Sequence, residues 1–106
     1  MPRFLVEVKY TLDGIRGLKD QGGTARVAAA KALIEDLGGT LVSFDFAFGG
    51  SDAYLIADMP DHVAAAATGL IVSAAGGVTT RTTVLISPAE MDDAAKKQTS
   101  YRAPGS

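Results

Sequence analysis

The clearest pattern along the chain is an alternation of apolar and polar side chains over residues 41–48, which is repeated over residues 52–58. A period of two residues is typical of β-strands, because successive side chains point to opposite faces of a sheet. Between the two stretches, Gly49-Gly50-Ser51 predicts a short hairpin loop, since glycine readily adopts the positive φ angles that such loops require. The faces predicted for the first strand are Val42, Phe44, Phe46 and Phe48 on one side, and Leu41, Ser43, Asp45 and Ala47 on the other.

The same alternation predicts a strand over residues 3–12 and another over residues 78–86. In the first of these, one face is apolar and the other is mixed, which is typical of an antiparallel sheet with one packed side. The apolar face carries Phe4, Val6, Val8 and Tyr10, and the mixed face carries Leu5, Glu7, Lys9 and Thr11. Asp13 and Gly14 predict a turn after this strand, followed by a short helical turn over residues 15–20.

Helical spacing of apolar residues predicts two main helices. The first begins after Thr24 as N-cap and runs to Leu37. Its buried stripe is Val27, Ala30, Ile34 and Leu37, and its solvent side is Arg26, Lys31, Glu35 and Asp36. The second begins after Asp61 as N-cap, runs from His62 to about Ala75 and is apolar on nearly every side. Such a composition indicates either a core helix or a contact between subunits.

A third, short helix is predicted over residues 88–97. Ser87-Pro88-Ala89-Glu90 has the cap residue, the proline at the first helical position and the glutamate three residues after the cap that together form a capping box. We expect one domain over residues 1–98. The tail, residues 99–106, either frays or packs on a neighbouring subunit.

This order of elements predicts an α+β, ferredoxin-like βαββαβ sandwich with an extra C-terminal helix. Right-handed crossovers place both main helices on one face of the sheet and leave the other face open. The open face is predicted to carry Glu7, Lys9, Ser43, Asp45, Arg81 and Thr83, together with Leu5, Leu41 and Leu85. A face of this mixed character suggests that two sheets pack together around a cavity, as a homodimer or a higher even oligomer.

The composition narrows the classes of function. The chain has 106 residues, a formal net charge of −2 and no cysteine, which excludes disulfides, thiolate catalysis and cysteine-ligated zinc or iron–sulfur sites. The negative charge disfavours nucleic acid and anionic membranes, because both attract basic surfaces. The longest apolar stretch, residues 63–75, is shorter than the roughly 20 residues that span a bilayer. We expect a soluble cytoplasmic protein with no nucleic-acid or membrane partner, no metal site and no cofactor.

Short motifs in four places resemble the GYD domain family. They are Val8-Lys9-Tyr10-Thr11, Gly14-Ile15-Arg16-Gly17-Leu18, residues 41–48 with Gly50-Ser51-Asp52, and Thr80-Arg81-Thr82-Thr83. The family is named for a Gly-Tyr-Asp tripeptide, and this chain has Ser51 in place of the tyrosine. We interpret the tripeptide as a turn motif, in which Gly50 provides the conformation and Asp52 binds backbone amides.

The resemblance covers nearly the whole chain and implies a small bacterial or archaeal protein of unestablished function. It also implies the fold of the dimeric α/β-barrel group. That group includes cofactor-independent monooxygenases, small isomerases, haem-degrading enzymes and ligand-sensing modules. A shared fold does not specify any one of these activities.

The candidate ligand site is a group of polar residues. Four of them, Glu7, Lys9, Asp45 and Arg81, are predicted for the open face, and Tyr54 or Tyr10 is the candidate hydrogen-bond donor. The group consists of Glu7, Lys9, Tyr10, Asp45, Tyr54 and Arg81. One interpretation is that the opposite charges simply pair with each other across the sheet. The other is that a second subunit encloses them and that they bind a carboxylate or carbonyl ligand, with Arg81 as the anion clamp, a tyrosine as hydrogen-bond donor and Asp45 or Glu7 as a base.

Two further features are weaker signals. Residues 17–24 have the spacing of a P-loop, but Gly23 replaces the essential lysine, so a plain connection is favoured over a weak anion site at a helix N-terminus. His62 is the only histidine and lies beside Asp61, where a surface helix residue is favoured over a general base.

The sequence thus predicts a small oligomeric module that binds a small organic or anionic ligand at the sheet face between subunits. It assigns no catalytic residue, and it leaves open whether the protein is an enzyme. One alternative is a cofactor-independent monooxygenase or isomerase of the dimeric α/β-barrel type that uses the same cavity. The other is a structural oligomer without a ligand.

Overall fold

Four antiparallel strands form one sheet in the computed structural model, which describes residues 1–105. The strands are β1 (Arg3–Tyr10), β2 (Thr40–Phe46), β3 (Ala53–Asp58) and β4 (Val78–Leu85), and the helices are α1 (Leu12–Gln21), α2 (Gly23–Asp36), α3 (His62–Ala74) and α4 (Pro88–Ala95). The strand order is β2-β3-β1-β4. With a helix after β1 and another after β3, this is the ferredoxin-like α+β arrangement, and the predicted fold class is confirmed.

The hydrophobic core lies between one face of this sheet and the helices α2 and α3. Its buried members are Phe4, Val6, Val8, Ile34, Ala53, Leu55, Ala57, Met59, Ala65 and Val78. Every second residue of β1 and of β3 is buried, as the alternation predicts, because a pleated strand presents alternate side chains to the helices. Ile34 belongs to the predicted buried stripe of α2 and is 1% exposed.

A β-bulge in β2 changes which residues of this strand face the core. Leu41 pairs with Ala57 and Ser43 pairs with Ile56, so Val42 is an extra residue on the bulged strand. Leu41 therefore packs against the core. The prediction of an open-face Leu41 is wrong because strict alternation assumes that no residue is inserted. Val42 is exposed. The prediction that Val42 and Phe44 lie on the same face of the sheet is wrong for the same reason.

The segment between β1 and α2 is more helical than predicted. Thr11 is the N-cap of α1 and its hydroxyl accepts a hydrogen bond from the N–H of Gly14 at 3.2 Å, so the turn predicted at Asp13 and Gly14 is the first turn of a helix. Gly22, with φ of 85°, separates α1 from α2. It takes the N-cap position predicted for Thr24, because glycine reaches this left-handed conformation without strain.

The loop between β2 and β3 spans residues 47–52 and folds back on β1. Phe48 lies in this loop and is fully exposed, rather than in a strand as predicted. Within residues 1–105, the glycines with positive φ are Gly22, Gly38, Gly76 and Gly105. The positive φ predicted for Gly49 and Gly50 is therefore wrong, because a six-residue loop spreads the reversal over several bonds and needs no left-handed residue there.

The surface of α3 that faces away from the sheet is apolar. Val63 is 78% exposed and Leu70 is 70% exposed, whereas Ala65 is buried against the sheet. The helix α3 is therefore not buried on every side, as the first of the two predicted alternatives requires. The N-cap is as predicted, since the carboxylate of Asp61 accepts a hydrogen bond from the N–H of Ala64 at 2.8 Å.

The C-terminal segment projects from the sheet. Its capping box is confirmed: the Ser87 hydroxyl accepts from the N–H of Glu90 at 3.1 Å, and the Ser87 N–H donates to the Glu90 carboxylate at 2.9 Å. Every residue from 86 to 105 is exposed, and we refer to this segment as the C-terminal arm. It raises the radius of gyration to 17.1 Å, against about 13 Å for a compact domain of about 100 residues.

Among the described helices, none has the length and hydropathy needed to cross a bilayer.

Candidate ligand-binding site

Four of the predicted site residues form a row across the open face of the sheet. Asp45 pairs with Tyr54, Tyr54 pairs with Glu7, and Glu7 pairs with Arg81. Directly opposed residues of neighbouring antiparallel strands have Cβ atoms about 4.5–5.5 Å apart, so the four side chains are successive neighbours from β2 to β4. We refer to these four residues as the polar row. The register places Tyr54 on the open face, where it is 37% exposed.

The loop between β2 and β3 contacts the polar row at Glu7. The ammonium group of Lys9 donates a hydrogen bond to the carbonyl of Gly50 at 3.3 Å, and the hydroxyl of Ser51 donates to the carboxylate of Glu7 at 3.4 Å. Together with Arg81, these residues line an open cavity of about 260 Å³. Ser51 replaces the tyrosine of the family tripeptide, and here its side chain touches the candidate site directly.

The charges of the polar row are not neutralised by contact with one another. Ion pairs within 4.0 Å in residues 1–105 join Arg3 to Asp58 and Lys31 to Glu35, and none joins Arg81 to a carboxylate. Direct cross-strand pairing, the first interpretation of these residues, is therefore absent from the described part of the chain. Their hydrogen-bonding capacity remains available to a ligand.

Apolar residues lie next to the polar row on the same face. Leu5 pairs with Ile56 on one side and with Thr83 on the other, one step of the pleat away from Glu7. Leu5 and Ile56 are half-buried. A few polar groups beside an apolar surface are the usual composition of a small-molecule site.

An ion pair closes the far end of the open face. Arg3 donates two hydrogen bonds to the carboxylate of Asp58, at 2.8 and 3.0 Å, in the fork geometry that suits a guanidinium. The hydrogen bond from Arg3 lowers the pKa of Asp58 below its usual value, and the same contact raises the pKa of Arg3. This pair is two steps of the pleat from the polar row and joins the first residue of β1 to the last residue of β3.

Tyr10 does not belong to the polar row. It shares the opposite face of β1 with Phe4, Val6 and Val8 and packs against the core, as the alternation of β1 itself predicts. The structure therefore places this candidate hydrogen-bond donor on the opposite face from Glu7 and Arg81. Burial raises the pKa of the Tyr10 phenol, and the nearby guanidinium of Arg26 partly opposes this shift.

In the Gly50-Ser51-Asp52 turn motif, Asp52 has its predicted role and Gly50 does not. The carboxylate of Asp52 accepts a hydrogen bond from the backbone N–H of Tyr10 at 2.8 Å, as predicted for a residue that binds backbone amides. Gly50 has no positive φ and a Cβ built on it would meet open space. Its contribution is the carbonyl that receives Lys9.

The two weaker sequence signals do not lead to a site. Residues 17–21 lie within α1, so the segment with P-loop spacing does not form a loop. His62 is the first residue of α3 and its ring packs edge-on against Phe4, with ring centroids 5.8 Å apart and an interplanar angle of 89°. This is the position of a surface helix residue, as predicted.

Arg26 is a residue that sequence reasoning misplaced. It was expected on the solvent side of α2, but it is half-buried and lines a cavity between the helices and the sheet. The signal that could have located it is its spacing, since Ala30 and Ile34 follow it at i+4 and i+8 and so share its face of the helix.

Comparison with known proteins gives one family match. The family model described as GYD domain matches residues 4–95, a range that contains all of the motifs from which the resemblance was inferred. No curated protein and no solved structure matches the chain.

Proposed function

The chain belongs to the GYD domain family, and on this premise we propose that it is a homo-oligomeric binding module. In this proposal the open faces of two copies pack together and hold a small organic or anionic ligand between them. The observation that carries the proposal is the polar row, in which Arg81, Tyr54, Glu7 and Asp45 are aligned across four strands without an ion pair among them.

Each member of the polar row has a role that follows from its chemistry. The guanidinium of Arg81 presents a planar set of N–H donors that matches a carboxylate. The phenol of Tyr54 donates one hydrogen bond, and Glu7 and Asp45 accept hydrogen bonds from hydroxyl or amino groups. A ligand with an acidic or carbonyl group at one end and a hydroxyl or amino group at the other satisfies all of them.

A second copy would exclude water from the candidate site, which a single chain does not do. The cavity at Glu7 and Arg81 is open to solvent, where hydrogen bonds and charge pairs contribute little because water competes for them. Covering it with another sheet removes that water and buries the apolar surface of Leu5 and Ile56. The C-terminal arm supports the same arrangement, since its first residues border the open face beside Arg3 and Asp58 and would lie against a copy placed there.

Native mass spectrometry of the purified protein tests the proposal, because it reports the number of subunits and any retained small molecule together. We expect an even number of subunits with additional bound mass. Arg81→Ala should lose the bound mass and keep the assembly. Arg16→Ala, which removes an exposed arginine of α1, is the matched control and should keep both. A monomer, or bound mass that Arg81→Ala leaves unchanged, would contradict the proposal.

A further inference from the structure

A second cavity lies on the opposite side of the sheet from the polar row. It has a volume of about 70 Å³ and lies between β1 and the facing sides of α2 and α3. Its walls are mainly aliphatic, with Val6 and Val8 from β1, Ala30 and Ile34 from α2, and Val72 from α3. It arises because the residues that α2 and α3 turn towards each other are small, including Ala30, Ala65 and Gly69.

A wider and more polar groove borders this inner cavity. The groove has a volume of about 350 Å³ and is lined by parts of α1, α2 and α3, including Asp13 and Gln21. Two polar residues, Tyr10 and Arg26, line both spaces, as do Val72 and Val78. The phenol and the guanidinium thus mark the boundary between an apolar interior and an aqueous exterior.

Arg26 is the only cation that lines the inner cavity, and its charge has no partner in contact. Within residues 1–105, no carboxylate lies within 4.0 Å of its guanidinium. Asp13 lines the outer groove and Asp52 lies near Tyr10, but the Asp52 carboxylate already accepts the N–H of Tyr10. A half-buried guanidinium has lost part of its hydration, and an anion that binds beside it restores the lost interaction.

We propose that this cleft binds a short-chain aliphatic monocarboxylate. The carboxylate lies at the boundary, where Arg26 and the phenol of Tyr10 donate to it, and the aliphatic tail enters the inner cavity. An apolar cavity of about 150 Å³ holds benzene, with its six carbon atoms, so a cavity of about 70 Å³ admits about two or three methyl or methylene groups. The preferred ligands are therefore propionate and butyrate. The cleft and the polar row are on opposite faces, so this proposal does not depend on the proposed function.

The test is an NMR titration of the full chain with butyrate, because chemical-shift mapping detects the weak binding expected of so small a ligand. We expect saturable shifts at the amides of Ala30, Gly69 and Val72. Propionate and butyrate should bind more tightly than acetate, which leaves the cavity partly empty, and than octanoate, which is too long for it. Butanol should bind at least tenfold more weakly than butyrate, because it has no charge for Arg26.

Variants separate this site from the rest of the surface. Arg26→Gln should weaken butyrate binding by about 10- to 100-fold, which corresponds to the loss of a charged hydrogen bond, whereas Arg16→Gln, at an exposed position of α1, should leave it unchanged. Ala30→Leu fills the cavity and should abolish binding. Arg81→Ala should have no effect. Equal binding by Arg26→Gln and the unaltered protein, or equal binding of butanol and butyrate, would overturn the proposal. These two results would leave the proposed role of the polar row untouched.

Discussion

The carboxylate of Asp52 accepts a hydrogen bond at 2.8 Å from the backbone N–H of Tyr10, which fastens the loop between β2 and β3 to the end of β1. The loop is held at a second point, where the N–H of Asp52 donates to the carbonyl of Val8 at 2.8 Å. The neighbouring Ser51 reaches Glu7 on the open face, while the side chain of Tyr10 lines the cleft on the other face. The residues of the family tripeptide therefore connect the two candidate sites.

Replacing Asp52 should loosen this connection. In Asp52→Ala the part-buried N–H of Tyr10 loses its acceptor, and an unsatisfied donor of this kind lowers the free energy of unfolding by about 1–3 kcal/mol. Asp52→Asn retains an acceptor oxygen and should lose less. Urea unfolding measures both effects. If the two variants were as stable as the unaltered protein, the hydrogen bond would not be what holds the loop.

The close contact between α1 and the start of β4 at Gly14 predicts that a side chain at this position destabilises the fold. A Cβ built on Gly14 would collide with the carbonyl of Gly77, and the same region is joined by the N–H of Thr11, which donates to that carbonyl at 3.0 Å. Gly14→Ala should therefore destabilise the fold by about 1–3 kcal/mol, as overpacking does.

Gly17 is the matched control in the same helix, because a Cβ there meets open space. Gly17→Ala should stabilise α1 by about 0.5–1 kcal/mol, since alanine loses less conformational freedom than glycine in a helix. Thermal unfolding of the two variants should therefore shift in opposite directions. A shift in the same direction would show that α1 does not pack on Gly77 in this way.

The Arg3–Asp58 ion pair predicts how stability depends on pH. The hydrogen bond from Arg3 holds the pKa of Asp58 below its usual value of 3.8. As the pH falls, the unfolded chain takes up the proton first, so the pair stabilises the fold above pH 3.8 and this contribution is lost as the pH falls below that value. Asp58→Asn should reduce the loss of stability on acidification. Asp92→Asn, at an exposed carboxylate of α4, should leave the acid profile as it is, and identical profiles for the two variants would refute the role of the pair.

The open face of the sheet and the outer side of α3 both expose apolar residues, and a charge placed on each should affect assembly differently. Ile56→Lys places a charge at the centre of the open face, where a single chain can extend it into solvent and a packed second sheet cannot. Leu70→Lys makes the same change on the exposed side of α3. We expect Ile56→Lys to separate the subunits and Leu70→Lys to leave them associated, as measured by light scattering. The reverse result would assign the contact to α3.

Much of this fold could be predicted because its signals are local. The alternation of Phe4, Val6 and Val8 depends only on the pleat, and the caps at Asp61 and Ser87 depend only on backbone groups within three residues. The predicted residues Glu7, Asp45 and Arg81 share a face for the same reason.

What the sequence could not reveal depends on partners that are distant along the chain. The extra residue in β2, Val42, becomes visible only in its register with β3, and it moved Leu41 from the open face to the core. The half-buried position of Arg26 depends on elements that are distant along the chain, since Val72 of α3 and Val78 of β4 line the same cavity. A charged residue on a helix is ordinarily assigned to solvent, and the spacing of Arg26 to Ala30 and Ile34 indicates only which face of α2 it shares.

The buried phenol of Tyr10 provides a test that bears directly on the cleft. Burial raises the pKa of Tyr10 above its usual value of 10.0, so as the pH rises the unfolded chain releases this proton first. Stability linked to Tyr10 is therefore present below pH 10.0 and is lost as the pH rises through the raised pKa. Tyr10→Phe should reduce the alkaline loss of stability, as measured by urea unfolding at a series of pH values. Tyr101→Phe, which removes a phenol of the exposed arm, is the matched control and should leave the alkaline profile of stability unchanged. An alkaline profile that Tyr10→Phe leaves unchanged would show that the phenol lies in water rather than against the core.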